Sequence, residues 1–167
     1  DHHMSGLMRH YLAGQLTLMR ELTVLMAPTV NSYKRLVPGA WAPTTVSWGI
    51  ENRTAALRAI PAGAKSSRIE CRLPGADVNP YLALAAMLAA GLYGIKHKME
   101  PPDPWNQNAY TAPENTFSPL PGTLEEATAL LKESGIAREM FGSVFVDHYV
   151  TTREWEIKQY RQVVTDW

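Results

Sequence analysis

Three residues in the run Arg68-Ile-Glu-Cys-Arg-Leu73 stand two apart: Arg68, Glu70 and Arg72. On an extended strand alternate side chains face the same way, so these three share one face, about 7 Å between successive members, and Ile69, Cys71 and Leu73 share the other. The apolar face belongs to the core. The opposite face then carries one carboxylate flanked by two guanidinium groups. A carboxylate is a hard oxygen ligand for a divalent cation, and a guanidinium holds phosphate or carboxylate through paired N–H donors. Solvated strands with weak cross-strand ion pairs show the same pattern, so the neighbouring basic residues weigh in the choice. Lys34 and Arg35 lie in one polar stretch, and Arg53 and Arg58 in a second. Arg53 and Arg58 fall on opposite faces of a regular strand, so serving one site requires Arg53 to precede the strand or to sit at a bulge. Arginines gathered from several elements suit a polyanion such as a nucleoside triphosphate, since each neutralises charge that develops in phosphoryl transfer. The sequence has no Walker-A pattern, no GxGxxG loop and no zinc-type Cys/His spacing, which disfavours the folds those motifs announce.

The elements that position these residues are legible in outline. Apolar residues at Met8, Leu12, Leu16, Met19, Leu22 and Met26 predict a helix from an N-cap at Ser5 to a stop at Pro28. Residues 31–43 read as an ordered loop, 44–48 and 54–60 as strands, and 68–73 as a third strand closed by Pro74-Gly75. Asn79-Pro80 starts a helix that is apolar on every face and is therefore expected to lie within the core. The proline-rich stretch 100–122 reads as an irregular connector. Thr123 with Glu126 opens a helix to Lys132, followed by a short helix near 136–140 and a longer one from Ser143 towards Tyr160. The order helix, strands, helices predicts an α+β fold with a mixed or antiparallel sheet and flanking helices.

Composition narrows the partners. The chain has 167 residues, 46% of them hydrophobic, with 16 Lys+Arg against 16 Asp+Glu; this is one domain of ordinary globular composition with no global field to hold nucleic acid or an anionic membrane. The uncharged run Tyr81–Ile95 is too short to span a bilayer. A single Cys71 and the lack of a secretory signal lead to the expectation of a reducing, cytoplasmic setting. The adjacent His2 and His3 make a poor metal site, whether native or from a tag.

Four segments, Asn31-Ser-Tyr-Lys-Arg-Leu-Val-Pro-Gly39, Glu51-Asn-Arg-Thr54, Arg68-Ile-Glu-Cys-Arg-Leu-Pro74 and Asn79-Pro-Tyr-Leu-Ala83, resemble in order and spacing the catalytic domain of the glutamine synthetase family. The resemblance implies an ATP-dependent ligase that phosphorylates the glutamate side-chain carboxylate and lets a nitrogen nucleophile displace phosphate from the acyl phosphate. It implies that Arg35 and Arg72 hold glutamate and the acyl phosphate. Arg53, Arg58 and Arg68, with Lys65 beside them, would bind the ATP phosphates, and Glu70 would ligate Mg²⁺ or Mn²⁺. Arg35, Arg53 and Trp41 are the candidate catalytic groups. Ammonia-using relatives carry a Glu directly before Ala-Pro in the loop after Lys-Arg-Leu, where it takes a proton from bound ammonium. Here that residue is Trp41, which covers apolar surface and attracts a cation over its face but is no base. The pattern Gly39-Ala-Trp-Ala-Pro-Thr-Thr-Val-Ser-Trp-Gly49 resembles the branch that joins glutamate to polyamines or other alkylamines. An ammonia-using glutamine synthetase and a catalytically silent structural or regulatory relative remain the alternatives.

The family's other metal-binding glutamates, its active-site histidines and its N-terminal domain precede the segment matched here. Residues 1–167 are therefore expected to be the C-terminal part of a longer catalytic domain, inactive alone, from a homo-oligomer of double-ring type. A large set of unpaired arginines around Glu70 is the feature that argues against a purely structural relative. By the same resemblance, Tyr110 falls where some bacterial relatives carry an adenylylated tyrosine. His10, His97 and His148 read as surface or satisfied positions.

Overall fold

The leucines and methionines at helical spacing form α1, Gly6–Met26, with the Ser5 hydroxyl accepting from the Met8 N–H at 3.2 Å. The structure is a computed structural model that describes residues 4–63 and 65–164; His2 and His3 lie outside the described residues. The second long helix, α2, spans Pro80–Lys96, and the Asn79 side chain caps it by accepting from the Tyr81 and Leu82 N–H groups. The two helices cross at glycines. A Cβ on Gly14 would stand 2.1 Å from the Ala90 carbonyl, and one on Gly94 would stand 2.1 Å from the His10 carbonyl, so only glycine permits this approach.

That crossing corrects the expectation that α2 is enclosed on all sides. Its buried stripe is Ala83, Ala86, Ala90, Gly91 and Gly94, whereas Tyr81, Leu84, Leu88 and Leu92 are exposed. Backbones this close leave room for small side chains alone, and the leucines are consigned to the far side.

Strands β1 (Trp48–Ile50), β2 (Leu57–Ile60) and β3 (Arg68–Cys71) form one sheet in the order β1-β2-β3, the first pair parallel and the second antiparallel. This is the expected mixed sheet of an α+β fold. Both early strands begin later than the alternation predicts. Residues 44–46 instead bridge to the proline-rich stretch, Thr45 opposite Pro119, with Val46 N–H donating to the Ser118 carbonyl at 2.8 Å and Leu120 N–H to the Thr44 carbonyl at 2.9 Å. Residues 51–56, all that separates β1 from β2, make a return that parallel strands ordinarily need a dozen or more residues to complete. Glu51 enters this turn in the left-handed region at φ 52°. The Asn52 side chain then organises the turn, its Oδ1 accepting from the Thr54 N–H at 2.9 Å and the Thr54 hydroxyl at 2.7 Å.

Two further segments differ from the sequence reading. Val30–Arg35 is a 3-10 helix rather than a loop, and the Thr29 and Ser32 side chains cap its start reciprocally. Asp77 secures both hydroxyls, accepting from Ser32 at 2.5 Å and from Thr29 at 3.0 Å. The stretch 100–122 is irregular apart from a 3-10 turn at Ala109–Thr111, but it is a brace rather than a bland connector. The Trp48 indole N–H donates to the Pro102 carbonyl at 2.9 Å, and Asn52 Nδ2 donates to the Trp105 and Gln107 carbonyls at 2.8 and 2.9 Å. Proline removes N–H donors, yet the carbonyls that remain are the acceptors this brace needs.

Helices α3 (Leu124–Glu133), α4 (Gly135–Phe141) and α5 (Ser143–Gln162) complete the fold. The Thr123 hydroxyl caps α3 by accepting from the Glu126 N–H, but the Glu126 carboxylate reaches back to the Gly122 N–H rather than to Thr123. Leu12, Leu18, Leu22 and Leu25 of α1 meet Leu57, Leu73, Leu131 and Val146 in a core without solvent access, each such side chain contributing roughly 1.5–3 kcal/mol on burial. Among the described residues no helix is long and apolar enough to cross a membrane.

Candidate active site

The antiparallel register sets Arg58 of β2 directly opposite Glu70 of β3. Side chains directly opposite across an antiparallel pair stand on the same face, so Arg58 joins the face that the alternation of β3 assigns to Glu70. Glu70 Oε2 accepts from Arg58 Nη1 at 3.2 Å, and Glu70 Oε1 accepts from Arg72 Nη1 at 3.0 Å. Each carboxylate oxygen therefore has its own guanidinium. Arg58 also donates to Glu51 from Nε and Nη2, so it bridges two carboxylates. Glu51, then Glu70, raise the pKa of Arg58 and keep it charged.

Arg72 makes a second attachment. Its Nη2 donates to the Trp41 carbonyl at 3.0 Å, which fastens the loop after the 3-10 helix to β3. The Nε of Arg72 is buried without a hydrogen-bond partner among the described residues, and a buried donor left unmatched has a strong demand for an acceptor. Trp41 itself is 66% exposed and adopts φ 55°.

Arg35, at the end of the 3-10 helix, donates to the Leu73 carbonyl just past β3. Asp77, whose pKa the Ser32 hydroxyl and secondarily Thr29 and Arg35 hold below the usual value, adds negative charge beside it. Arg58, Glu70 and Arg72 thus meet on one face of β2 and β3, and Arg35 reaches the segment just past β3 from the 3-10 helix.

Arg53 precedes β2, as a role in this site demands, and is exposed in the six-residue turn. Arg68 shares the Glu70 face through strand alternation, but its guanidinium turns back to the Ser66 carbonyl at 2.9 Å and does not join Glu70. Lys65 is exposed in the connection between β2 and β3. These three cations are spread along the sheet rather than gathered at the carboxylate. The expectation of a ring of unpaired arginines needs correction: Arg58 and Arg72 are ion-paired and Arg35 is bound to a carbonyl, because neighbouring strands and loops place acceptors beside them.

Cys71 behaves as the alternation predicts. Its side chain packs beside Met19, Leu22, Ala86 and Met87 around a void of about 10 Å³, and burial pushes the thiol pKa up to about 11. Among the histidines, His10 Nδ1 lies 2.7 Å from the Met99 carbonyl, His97 packs against Tyr93 with the rings tilted by 41°, and His148 is exposed on α5. Among the described residues no three His, Cys, Asp or Glu side chains stand together as a metal cage. Two contributors escaped the sequence reading as site residues. Glu51 shows no sign of its pairing in one dimension, since only the tight parallel return brings it to Arg58. Tyr110 donates its hydroxyl to the Ala42 carbonyl at 2.8 Å, a contact between distant segments with no local signal.

The family described as "Glutamine synthetase, catalytic domain" matches residues 1–167. The gamma-glutamylethanolamide synthetase of Streptomyces coelicolor is 51% identical over 98% of this chain and 35% of its own length. The glutamate–isopropylamine ligase of a Pseudomonas species is 45% identical over 95% of this chain and 34% of its own length. The glutamine synthetase of Methanosarcina mazei is 40% identical over 95% and 36% respectively. Among solved structures, the GmaS/ADP complex matches with TM-score 0.87 and 33% identity, covering 98% of this chain and 39% of that one. The chain spans about a third of the length of the curated relatives it matches.

Proposed function

The chain belongs to the glutamine synthetase family, and on that premise we propose that the intact protein is an ATP-dependent ligase joining the glutamate γ-carboxylate to an alkylamine or polyamine. The observation that carries the choice of amine is the bond from Arg72 to the Trp41 carbonyl. It ties to the arginine–glutamate array a loop that presents an indole where ammonia-using relatives present a carboxylate. Relatives at 51% and 45% identity, named for a gamma-glutamylethanolamide product and an isopropylamine substrate, support the same reading, and a glutamine synthetase at 49% identity keeps ammonia as the alternative.

In this proposal Arg35 and Arg72 hold glutamate and steady the acyl phosphate. Arg53, Arg58, Arg68 and Lys65 neutralise nucleotide phosphates, for which the exposed Arg53, Arg68 and Lys65 are open to solvent. Glu70, 40% exposed at its side chain, fits as one oxygen ligand of Mg²⁺ or Mn²⁺, the remaining ligands coming from the rest of the intact protein. A bound divalent cation supplies charge neutralisation on the phosphoryl oxygens. The amine nitrogen then attacks the acyl carbon, phosphate leaves with the bonding pair, and the nitrogen passes a proton to the departing phosphate. Trp41 has no role as base in that step; it covers the carbon chain of the amine. Residues 1–167 form, in this reading, the C-terminal part of the catalytic domain of a homo-oligomer.

The test is substrate competition on the intact protein. Phosphate release with ATP, glutamate and Mg²⁺ is measured for ethanolamine, ethylamine, putrescine and ammonia. A higher kcat/KM for one of the amines than for ammonia is expected. Ammonia as the best nucleophile would establish the glutamine synthetase alternative, and no release with any nucleophile would establish a silent relative.

A further inference from the structure

We propose that Tyr110 is a positioning residue that sets the conformation of the Trp41 loop through the Ala42 carbonyl, a role that rests on the ligase reading above. Two successive carbonyls of this loop are gripped from separate elements: Arg72 of the β3 end donates to Trp41 O at 3.0 Å, and the Tyr110 hydroxyl donates to Ala42 O at 2.8 Å. Between the two grips the backbone passes from an exposed Trp41 to a fully buried Ala42. Trp41 takes the left-handed φ of 55° there, a region that bulky L residues rarely enter. Such a conformation persists where the surroundings over-determine it, and the paired carbonyl bonds supply that constraint.

Tyr110 is itself rigidly mounted. Its N–H donates to Asn108 Oδ1 at 2.9 Å, and the N–H of the buried Ala109 donates to the Thr54 hydroxyl at 2.8 Å. Thr54 is in turn bonded to Asn52, whose amide grips Trp105 and Gln107. The turn bearing Arg53, the 100–122 brace and the Trp41 loop therefore form one connected unit, and the Tyr110 phenol is the strut that reaches the loop. Losing the strut lets residue 41 relax toward an ordinary φ and shifts the indole. The nucleophile that passes the indole is affected most, whereas glutamate is affected less, since Arg35 is bonded to the Leu73 carbonyl and Arg72 keeps its bond to Glu70.

The experiment compares intact wild-type protein with Tyr110→Phe, which removes only the hydroxyl. Thr116→Ala serves as the control, since among the described residues its hydroxyl bonds only to the Pro113 carbonyl within the same brace. Hydrogen exchange across residues 36–42 and steady-state kinetics are read together. Tyr110→Phe is expected to speed exchange and raise the amine KM about fivefold each, the factor that one neutral hydrogen bond represents, with a smaller rise in the glutamate KM and the Thr116→Ala protein unchanged. Unchanged exchange in Tyr110→Phe overturns the strut. Faster exchange with equal rises in the amine and glutamate KM values overturns the positioning role, because a merely structural loss moves both alike. If wild type shows no ligase activity, the function above fails, and the exchange arm still decides whether Tyr110 holds the loop.

Discussion

Arg72 Nη2 lies 3.0 Å from the Trp41 carbonyl while Nη1 of the same guanidinium lies 3.0 Å from Glu70 Oε1. One planar fork thus links the strand that bears the carboxylate to the loop that bears the indole. Lysine, a point charge on a flexible stem, would not hold both acceptors in this geometry.

Glu70→Ala in the intact protein is expected to abolish metal-dependent turnover while leaving the fold in place. Arg58 keeps its bonds to Glu51 and Arg72 keeps the Trp41 carbonyl, so neither guanidinium is left without an acceptor. We expect kcat to fall by at least about 100-fold at saturating Mg²⁺ or Mn²⁺, the scale for loss of a group that stabilises developing charge, with little change in Tm. Equal activity in the two proteins would remove Glu70 from the site.

Trp41→Glu is expected to shift preference from amine towards ammonia. A carboxylate near the nitrogen takes up the proton that ammonium must lose, and removal of the indole withdraws an apolar cover worth about 0.8 kcal/mol per buried methylene of the amine. Measured kcat/KM values for ammonia and putrescine on both proteins check this, and an unchanged ratio would sink the role given to the indole.

Cys71 makes stability fall in alkali. Its folded pKa of about 11 lies above the ordinary 9.0, so the unfolded chain loses the thiol proton first. The contribution is whole below pH 9.0, declines as pH rises from there, and is lost once pH passes about 11. Denaturant unfolding at pH 8 and pH 10 should show a loss in wild type that is smaller in Cys71→Ala. The substitution itself should cost about 1–2 kcal/mol as a core truncation, with ligase activity retained.

Asn52→Asp separates the two ends of the amide. The Oδ1 bonds to Thr54 persist, but the Nδ2 donors to the Trp105 and Gln107 carbonyls are lost, and a carboxylate then faces two carbonyl oxygens. A destabilisation of about 1–3 kcal/mol is expected, with faster hydrogen exchange confined to residues 102–109 and the turn 51–56. Asn52→Ala should cost more, since it removes the Thr54 bonds as well. Unaltered exchange in the brace would show that it does not depend on this amide.

The amino-acid sequence by itself determined the helices with strong caps, the face of β3 that bears Glu70, and the core direction of Cys71. Those features rest on short-range periodicity: two residues per strand repeat, 3.6 per helical turn, and capping side chains two or three positions from the groups they satisfy. The four motifs determined the family, because residue types at fixed spacing survive as a one-dimensional pattern. Tertiary structure alone decided which arginines are paired. Arg58 meets Glu51 only through the short parallel return, and Arg68 turns to Ser66 although alternation gives it the Glu70 face. The same holds for α2, whose composition is apolar throughout but whose buried stripe is chosen by the Gly14–Gly94 crossing. The 100–122 brace was illegible for a related reason: its function lies in backbone carbonyls, which every residue carries and no side-chain pattern encodes, and it acts on turns 50 or more positions away in the chain.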